Sequence, residues 1–336
     1  MKRLLISAAL VALGASTQAS AAFVASPITI DRDGAGGTSA IKVTSLNWLA
    51  GNTLTVGALG QAGEDVSSLG TIRTLDTYYQ AALNTFVFNS SGGSTQYLNT
   101  TGSEWTVVAK IKESATGIGT ATAAFVPLSG TVSIFYHAAK DANDISGLGY
   151  NNGLEILRGS IVGGSGNYTD FTRLAPGSFP VTGLDAFGDN DRPGVGTNQG
   201  SGQSTIKVDI GADGGDFIDT NFFLSDITSM DFALTFMEDL NDTGQLVAPF
   251  AQANPSALVA GVAPSYSPGN ATFSNGINGA DCAVDAVTGK FTQNCDFHFQ
   301  TTNVTSFTAV PEPGALALAG LGLSMLGFVG RRRKQA

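Results

Sequence analysis

Apolar and polar side chains alternate through much of the middle of the chain. Between residues 105 and 112 apolar side chains recur at every second position, and only Val108 breaks the pattern. A period of two puts alternate side chains on opposite faces of a strand, so this segment predicts a strand with one buried face. The same alternation predicts strands over residues 131–137, 230–237 and 291–300.

Shorter apolar runs predict further strands, which are separated by glycine- and asparagine-rich turns. They cover residues 40–48, 53–59, 82–89, 121–126, 154–162, 205–210 and 271–274. Residues 76–83 fit a short helix, and no long amphipathic helix pattern is found in the body of the chain. Many strands at this spacing predict an all-β protein with a β-sandwich-like or jelly-roll-like body.

The first 21 residues have the three parts of a secretory signal peptide. Lys2 and Arg3 give a positive start, an apolar run follows over residues 4–14, and Ala19 and Ala21 precede a cleavage site. We therefore expect residues 1–21 to be removed and residues 22–308 to form an exported, β-rich body. A short N-terminal membrane anchor is the alternative, although the apolar run is shorter than a membrane span.

Residues 309–336 carry three features in a fixed order. These are Val310, Pro311, Glu312 and Pro313, then the uncharged residues 315–330, then the cations Arg331, Arg332, Arg333 and Lys334. At roughly 1.5 Å per residue the uncharged segment forms a helix of about 24 Å, shorter than the roughly 30 Å hydrocarbon core. It predicts a single short transmembrane helix whose cations stay in the cytoplasm and leave the body outside.

This tail resembles the C-terminal sorting signal of PEP-CTERM proteins. The resemblance implies a Gram-negative bacterium, cleavage by an exosortase near the Pro-Glu-Pro sequence, and export to the cell surface or exopolysaccharide matrix. The expected partners are then the exosortase, the secretion machinery and extracellular polysaccharide. An ordinary C-terminal membrane anchor is the alternative, and it also leaves the body outside the cytoplasm.

Parts of the body resemble the flocculation-associated group of PEP-CTERM proteins. The resemblance rests on residues 46–57 with Thr77-Tyr78-Tyr79-Gln80-Ala81, and on Phe135-Tyr136 with residues 153–159. These are strand and turn sequences without reactive groups. They imply a matrix protein that promotes the aggregation of cells into flocs and is exported along with exopolysaccharide.

Removing the two ends makes the protein more acidic. The full chain has 17 Lys+Arg and 27 Asp+Glu, for a net charge of −10. Without six terminal cations and Glu312, 11 Lys+Arg remain against 26 Asp+Glu, a net charge of about −15. Such a surface repels nucleic acid and anionic lipid, so we expect no nucleic-acid partner, and membrane contact only through the C-terminal helix before processing. Alternatively, the acidity only keeps the protein soluble.

Loops rich in aspartate and glycine are candidates for calcium binding, because calcium takes six to eight oxygen ligands. They cover residues 141–144, 185–191 and 209–219, and the third contains Asp209, Asp213, Asp216 and Asp219. None has the residue order of an EF-hand. Acidic turns exposed to solvent are the alternative, so calcium is the one cofactor that the sequence suggests.

Cys282 and Cys295 lie 13 positions apart. Export permits oxidation, and Cys295 falls on the apolar face of its predicted strand, so a disulfide is the leading interpretation. Two free thiols are the alternative. A zinc site at the cysteines is disfavoured, because His298 is the only histidine near them.

The sequence shows no catalytic constellation. The two histidines, His137 and His298, lie on the less apolar faces of predicted strands, and neither a Gly-x-Ser-x-Gly sequence nor a phosphate-binding glycine loop occurs. Glycoside hydrolysis needs only two carboxylates, and Asp189, Asp191, Glu238 and Asp239 are candidates for them. We predict a protein that is not an enzyme, with a secreted carbohydrate-binding lectin and a secreted glycosidase as alternatives.

Overall fold

A computed structural model gives the fold of the chain over most of its body. It describes residues 27–37, 39–65, 71–90, 92–99, 102–118, 120–142, 149–170, 181–182, 196–197, 200–211, 213–236, 284–292 and 295–309. The predicted signal peptide and C-terminal helix lie outside these residues.

Strands are the regular elements of the described part of the chain. They are β1 (Ile28–Asp31), β2 (Ala40–Val43), β3 (Ser45–Gly60), β4 (Arg73–Ser90), β5 (Gly93–Leu98), β6 (Glu104–Thr116), β7 (Thr122–His137), β8 (Leu154–Asp170), β9 (Val181–Thr182), β10 (Gly196–Thr197), β11 (Gly200–Asp209), β12 (Phe217–Ile218), β13 (Ile227–Phe236) and β14 (Cys295–Ala309). The all-β prediction is confirmed.

Eight long antiparallel strands close into a barrel. Their order is β11-β13-β14-β3-β4-β6-β7-β8, and β8 pairs back onto β11. The short strand β5 extends the sheet beside β4, and β12 pairs with β8. The predicted sandwich or jelly-roll arrangement is therefore corrected to a barrel. Strands of either architecture alternate inward and outward side chains, so the alternation could not distinguish them.

Closure of the barrel depends on the glycine-rich second half of β8. There β8 pairs with both β7 and β11, and the β11 register shifts between Lys207 and Val208. Gly164 has a φ of +150°, and a Cβ there would lie 2.2 Å from the carbonyl oxygen of Thr205. Glycines and register shifts allow a strand to bend sharply, which is what a small closed sheet requires.

One end of the barrel is covered by aromatic side chains and by the β1–β2 hairpin; we call it the capped end. Trp105 contacts Phe86, Phe222 and Phe223 edge-on, with ring centroids 5.3–5.9 Å apart. The Trp105 indole also donates a 3.0 Å hydrogen bond to the carbonyl of Arg32, beyond β1. Ile28, Ile30 and Val43 of the hairpin are fully buried in the same core.

Strand β4 replaces the short helix predicted over residues 76–83. Tyr78, Tyr79, Gln80 and Ala81 are all at most 1% exposed, although successive residues of a strand point to opposite faces. Both faces of β4 are therefore buried here, which removes the polar–apolar alternation that identifies a half-buried strand. The prediction was wrong because the burial of the outer face cannot be read from the local pattern.

Gly51 lies in the irregular part of β3 opposite β4, where the register shifts between Trp48 and Asn52. A Cβ at this position would lie 2.3 Å from the carbonyl oxygen of Gln80 and 2.6 Å from the Cβ of Ala81. We expect Gly51→Ala to destabilise the protein by about 1–3 kcal/mol, because the strands must move apart. Urea unfolding measures the loss. Gly102→Ala is the control, since no atom lies within 4 Å of its added methyl group, and an equal effect of both would contradict the expectation.

Candidate functional site

A cluster of Glu104, His137 and Asp141 lies at the capped end of the barrel. Glu104 begins β6 and His137 ends β7, and the two residues are direct partners in the β6–β7 register. Asp141 follows in the loop after β7. Each side chain offers one metal-ligating atom, and these atoms all lie within 4.8 Å of one another. In the described part of the chain, it is the one group of three such residues that a single ion could bridge.

Backbone and amide groups hold the two carboxylates of this cluster. The backbone N–H groups of Asp141 and Ala142 donate to Oε1 of Glu104 at 2.8 and 3.0 Å. The Asn152 amide donates to Oδ2 of Asp141 at 2.7 Å. Burial raises the pKa of Glu104 above its usual value, while the hydrogen bond from Asn152 lowers the pKa of Asp141. Glu104 is therefore the group of the pair that takes up a proton first.

His137 is the third member of the cluster, and its exposure lies between those of Glu104 and Asp141. Its Nδ1 lies 2.8 Å from the carbonyl oxygen of Ala139 and 3.2 Å from Oδ1 of Asp141. The sequence placed His137 on the less apolar face of a strand and Asp141 in an acidic loop, but it did not connect them with Glu104. Glu104 is 33 positions from His137, and only the pairing of β6 with β7 brings them together.

The aspartates predicted to bind calcium are brought together only in part. The hydroxyl of Ser160 donates to Asp213 at 3.0 Å and to Asp216 at 2.8 Å. Asp219 instead accepts hydrogen bonds from the backbone and side chain of Asn221, at 2.9 and 3.0 Å. Asp209 ends β11. Calcium binding in this loop stays a prediction.

A second set of polar side chains lies inside the barrel. This set was not identified from the sequence. It consists of inward-facing side chains from four neighbouring strands: Thr53 and Thr55 of β3, Thr77 and Tyr79 of β4, Glu113 of β6, and Thr301, Asn303 and Thr305 of β14. All eight are at most 7% exposed. The inward residues Ile206, Phe232 and Leu234 of β11 and β13 give the barrel an apolar wall. The interior thus has one polar side and one apolar side.

Glu113 is the carboxyl group of this interior layer. The Thr77 hydroxyl donates a 2.5 Å hydrogen bond to its Oε1, and Thr77 in turn lies 2.8 Å from the hydroxyl of Thr55. Burial raises the pKa of Glu113 to about 7, against the smaller lowering effect of the Thr77 hydrogen bond. The carboxyl is therefore partly protonated at neutral pH. A threonine hydroxyl can donate to either form of the carboxyl, and it can accept a hydrogen bond only from the protonated form.

The other residues predicted to form sites lie outside the described part of the chain or are described only in part. Cys282, Val310, Pro311, Glu312, Pro313, Arg331, Arg332 and Arg333 are among them, and Cys295 is described only through its backbone in β14. The disulfide between Cys282 and Cys295 therefore stays a prediction. In the described residues no helix has the length and apolar character that crossing a membrane requires.

Comparison with known proteins identifies the C-terminal tail. The PEP-CTERM protein-sorting motif matches residues 309–334. This confirms the sorting signal predicted at residues 309–336, and supports a PEP-CTERM protein. The motif is the one that exosortases recognise, and it implies exosortase-dependent export to the cell surface. No curated protein and no solved structure matches the chain.

Proposed function

We propose that the processed protein is a non-catalytic component of the cell surface or exopolysaccharide matrix, where it promotes cell aggregation in flocs or biofilms. The observation that carries this proposal is the sorting motif at residues 309–334. A protein delivered by this route lies among surface polysaccharides. The flocculation-like sequences of the body, which resemble a matrix protein, support the same role.

The position of the motif fits the release of an intact barrel. The last strand, β14, ends at Ala309, where it pairs with Ile227 of β13. Since β14 lies between β13 and β3, removing it would open the barrel. Cleavage near the Pro-Glu-Pro sequence, at Pro311 to Pro313, leaves all of β14 in place. Processing therefore separates a complete domain from its tail.

Charge suggests how the protein associates with polysaccharide. The mature body has a net charge of about −15, as derived above from the sequence. Direct contact with an acidic polysaccharide would be repulsive, whereas divalent cations can bridge carboxylates of the two. We propose this bridging as the source of cohesion. Flocs that stay intact in a metal chelator would count against it.

Deletion of the gene, with complementation, tests the proposed role. We expect deletion to reduce aggregation and the full-length chain to restore it. A chain that ends at Ala309 keeps every barrel strand, so we expect it to be secreted and folded without restoring aggregation. Aggregation and the location of the protein are scored together, by sedimentation of cells and by immunoblotting of cell fractions.

A second variant separates the sorting signal from the mere presence of a tail. Replacing Pro311, Glu312 and Pro313 with alanine keeps the uncharged segment and the cations but removes the proposed processing sequence. We expect this variant to stay uncleaved in the membrane fraction and, like the chain ending at Ala309, to fail to restore aggregation. If deletion leaves aggregation and matrix unchanged, the aggregation role is wrong, and assays of sugar binding and of glycan hydrolysis on the purified protein become the next step.

A further inference from the structure

We propose that Glu104, His137 and Asp141 bind one divalent ion of the zinc class at the capped end of the barrel. The three side chains belong to β6, to β7 and to the loop that follows β7, and their ligand atoms lie within 4.8 Å of one another. The site does not depend on the proposed role in aggregation. It is separate from the calcium candidate over residues 209–219, although Asp141 also begins the candidate loop over residues 141–144.

The chemistry of the three ligands favours zinc over calcium. Calcium takes six to eight ligands that are all oxygen, whereas zinc combines an imidazole nitrogen with carboxylate oxygens at about 2.0–2.2 Å. Tetrahedral bonds of that length place neighbouring ligand atoms about 3.3 Å apart. Nδ1 of His137 and Oδ1 of Asp141 are 3.2 Å apart. Nδ1 also donates to the carbonyl oxygen of Ala139 at 2.8 Å, so an ion bound through Nδ1 would replace that hydrogen bond.

The burial of Glu104 is a further reason to expect a cation. Glu104 is 5% exposed, and the register of β6 and β7 holds it beside His137 and close to a second carboxylate. Two neighbouring carboxylates repel each other unless a proton or a cation lies between them. A divalent ion neutralises both, and His137 supplies a ligand that needs no neutralisation.

Surrounding groups already orient the ligands. The Asn152 amide fixes Asp141 through Oδ2, and the Asp141 and Ala142 amides fix Glu104 through Oε1. Outer contacts of this kind are typical of metal sites, where they hold ligands in place before the ion arrives. Because Asp141 is exposed, solvent can supply the remaining ligand. The ion would connect the β7–β8 loop with the barrel.

Titration of the metal-free processed protein with Zn²⁺ tests the proposal. We expect calorimetry at pH 7 to show one Zn²⁺ per chain bound through this site, with a much weaker response to Ca²⁺. His137→Ala is expected to weaken zinc binding by more than about tenfold. Loss of a residue that only hydrogen-bonds to a metal ligand already weakens metal binding by about that factor. Asp141→Asn should also weaken it. Both positions are partly or fully exposed, so these variants should fold.

The chain supplies a matched control in its other histidine. His298→Ala should leave the zinc affinity unchanged. Co²⁺ in place of Zn²⁺ gives a second measurement, because its visible absorption reports a nitrogen ligand, and this signature should be lost in His137→Ala and retained in His298→Ala. The proposal is overturned if no zinc binds, if His137→Ala binds it as tightly as the unmodified protein, or if Ca²⁺ binds equally well without His137.

Discussion

Replacing Glu113 with glutamine is expected to stabilise the barrel at pH 8 by up to about 3 kcal/mol, and to leave its stability near pH 4 almost unchanged. Glu113 lies inside the barrel and accepts a hydrogen bond from Thr77, whose hydroxyl also contacts that of Thr55. Its pKa is about 7 in the folded protein, against an ordinary value of 4.5. Since one pKa unit corresponds to about 1.4 kcal/mol, this difference gives the stated magnitude.

The sign follows from which state binds the proton more tightly. Below pH 4.5 the carboxyl is protonated in both states, so it causes no loss of stability. Between pH 4.5 and 7 the unfolded chain loses the proton while the folded barrel keeps it, so the free energy of unfolding falls as the pH rises. Above pH 7 the loss is complete. Glutamine has no ionised form and can still accept the hydrogen bond from Thr77.

Urea unfolding at pH 4, 6 and 8 measures this effect. Glu155→Gln is the matched control, because Glu155 is only partly buried and pairs with Arg158. Loss of a partly exposed ion pair of this kind changes stability by only about 0–1 kcal/mol. A stability difference between Glu113→Gln and the unmodified protein that is the same at pH 4 and pH 8 would show that Glu113 is not held in a protonated state.

Trp105→Ala is expected to destabilise the protein by about 3–5 kcal/mol, the largest loss among the substitutions considered. Trp105 is 1% exposed and contacts Phe86, Phe222 and Phe223. Alanine would leave a large cavity at the capped end. It would also remove the hydrogen bond to Arg32 that ties the segment after β1 to the barrel. The β1–β2 hairpin should then exchange its amide hydrogens faster.

Two comparisons separate packing from the hydrogen bond at this position. Trp105→Phe keeps an aromatic ring but loses the indole N–H, so we expect an intermediate loss. Leu128→Ala alters a side chain that is 49% exposed on β7, and it should change stability by less than about 0.5 kcal/mol. Urea unfolding gives the free energies. A loss below about 1 kcal/mol for Trp105→Ala would mean that the aromatic contacts do not stabilise the capped end.

Local patterns in the sequence predicted the individual strands more successfully than their arrangement. The inward face of β6, with Trp105, Val107, Ala109 and Ile111, follows directly from its alternation, and these residues are all at most 1% exposed. Closure of the sheet could not be predicted, because it depends on the pairing of β8 with β11. The same alternation would also fit two packed sheets.

The candidate sites likewise could not be predicted from local patterns in the sequence. Glu104 and Glu113 were not identified from the sequence, because their significance comes from partners on neighbouring strands: His137 of β7 for Glu104, and Thr77 of β4 for Glu113. The sorting signal differs in this respect. Its proline, uncharged and cationic parts are contiguous, so a local reading placed it at residues 309–336, close to the matched residues 309–334.

The mass of the surface-associated protein tests the central claim most directly. The protein is isolated from the surface of normal cells and of cells that lack the exosortase, and its C-terminal peptides are identified by mass spectrometry. We expect normal cells to yield a chain that ends near Pro311 to Pro313. Cells without the exosortase should retain Arg331 to Lys334 on a protein confined to the membrane fraction. An identical, uncleaved C-terminus at the surface of both kinds of cell would contradict exosortase-dependent delivery.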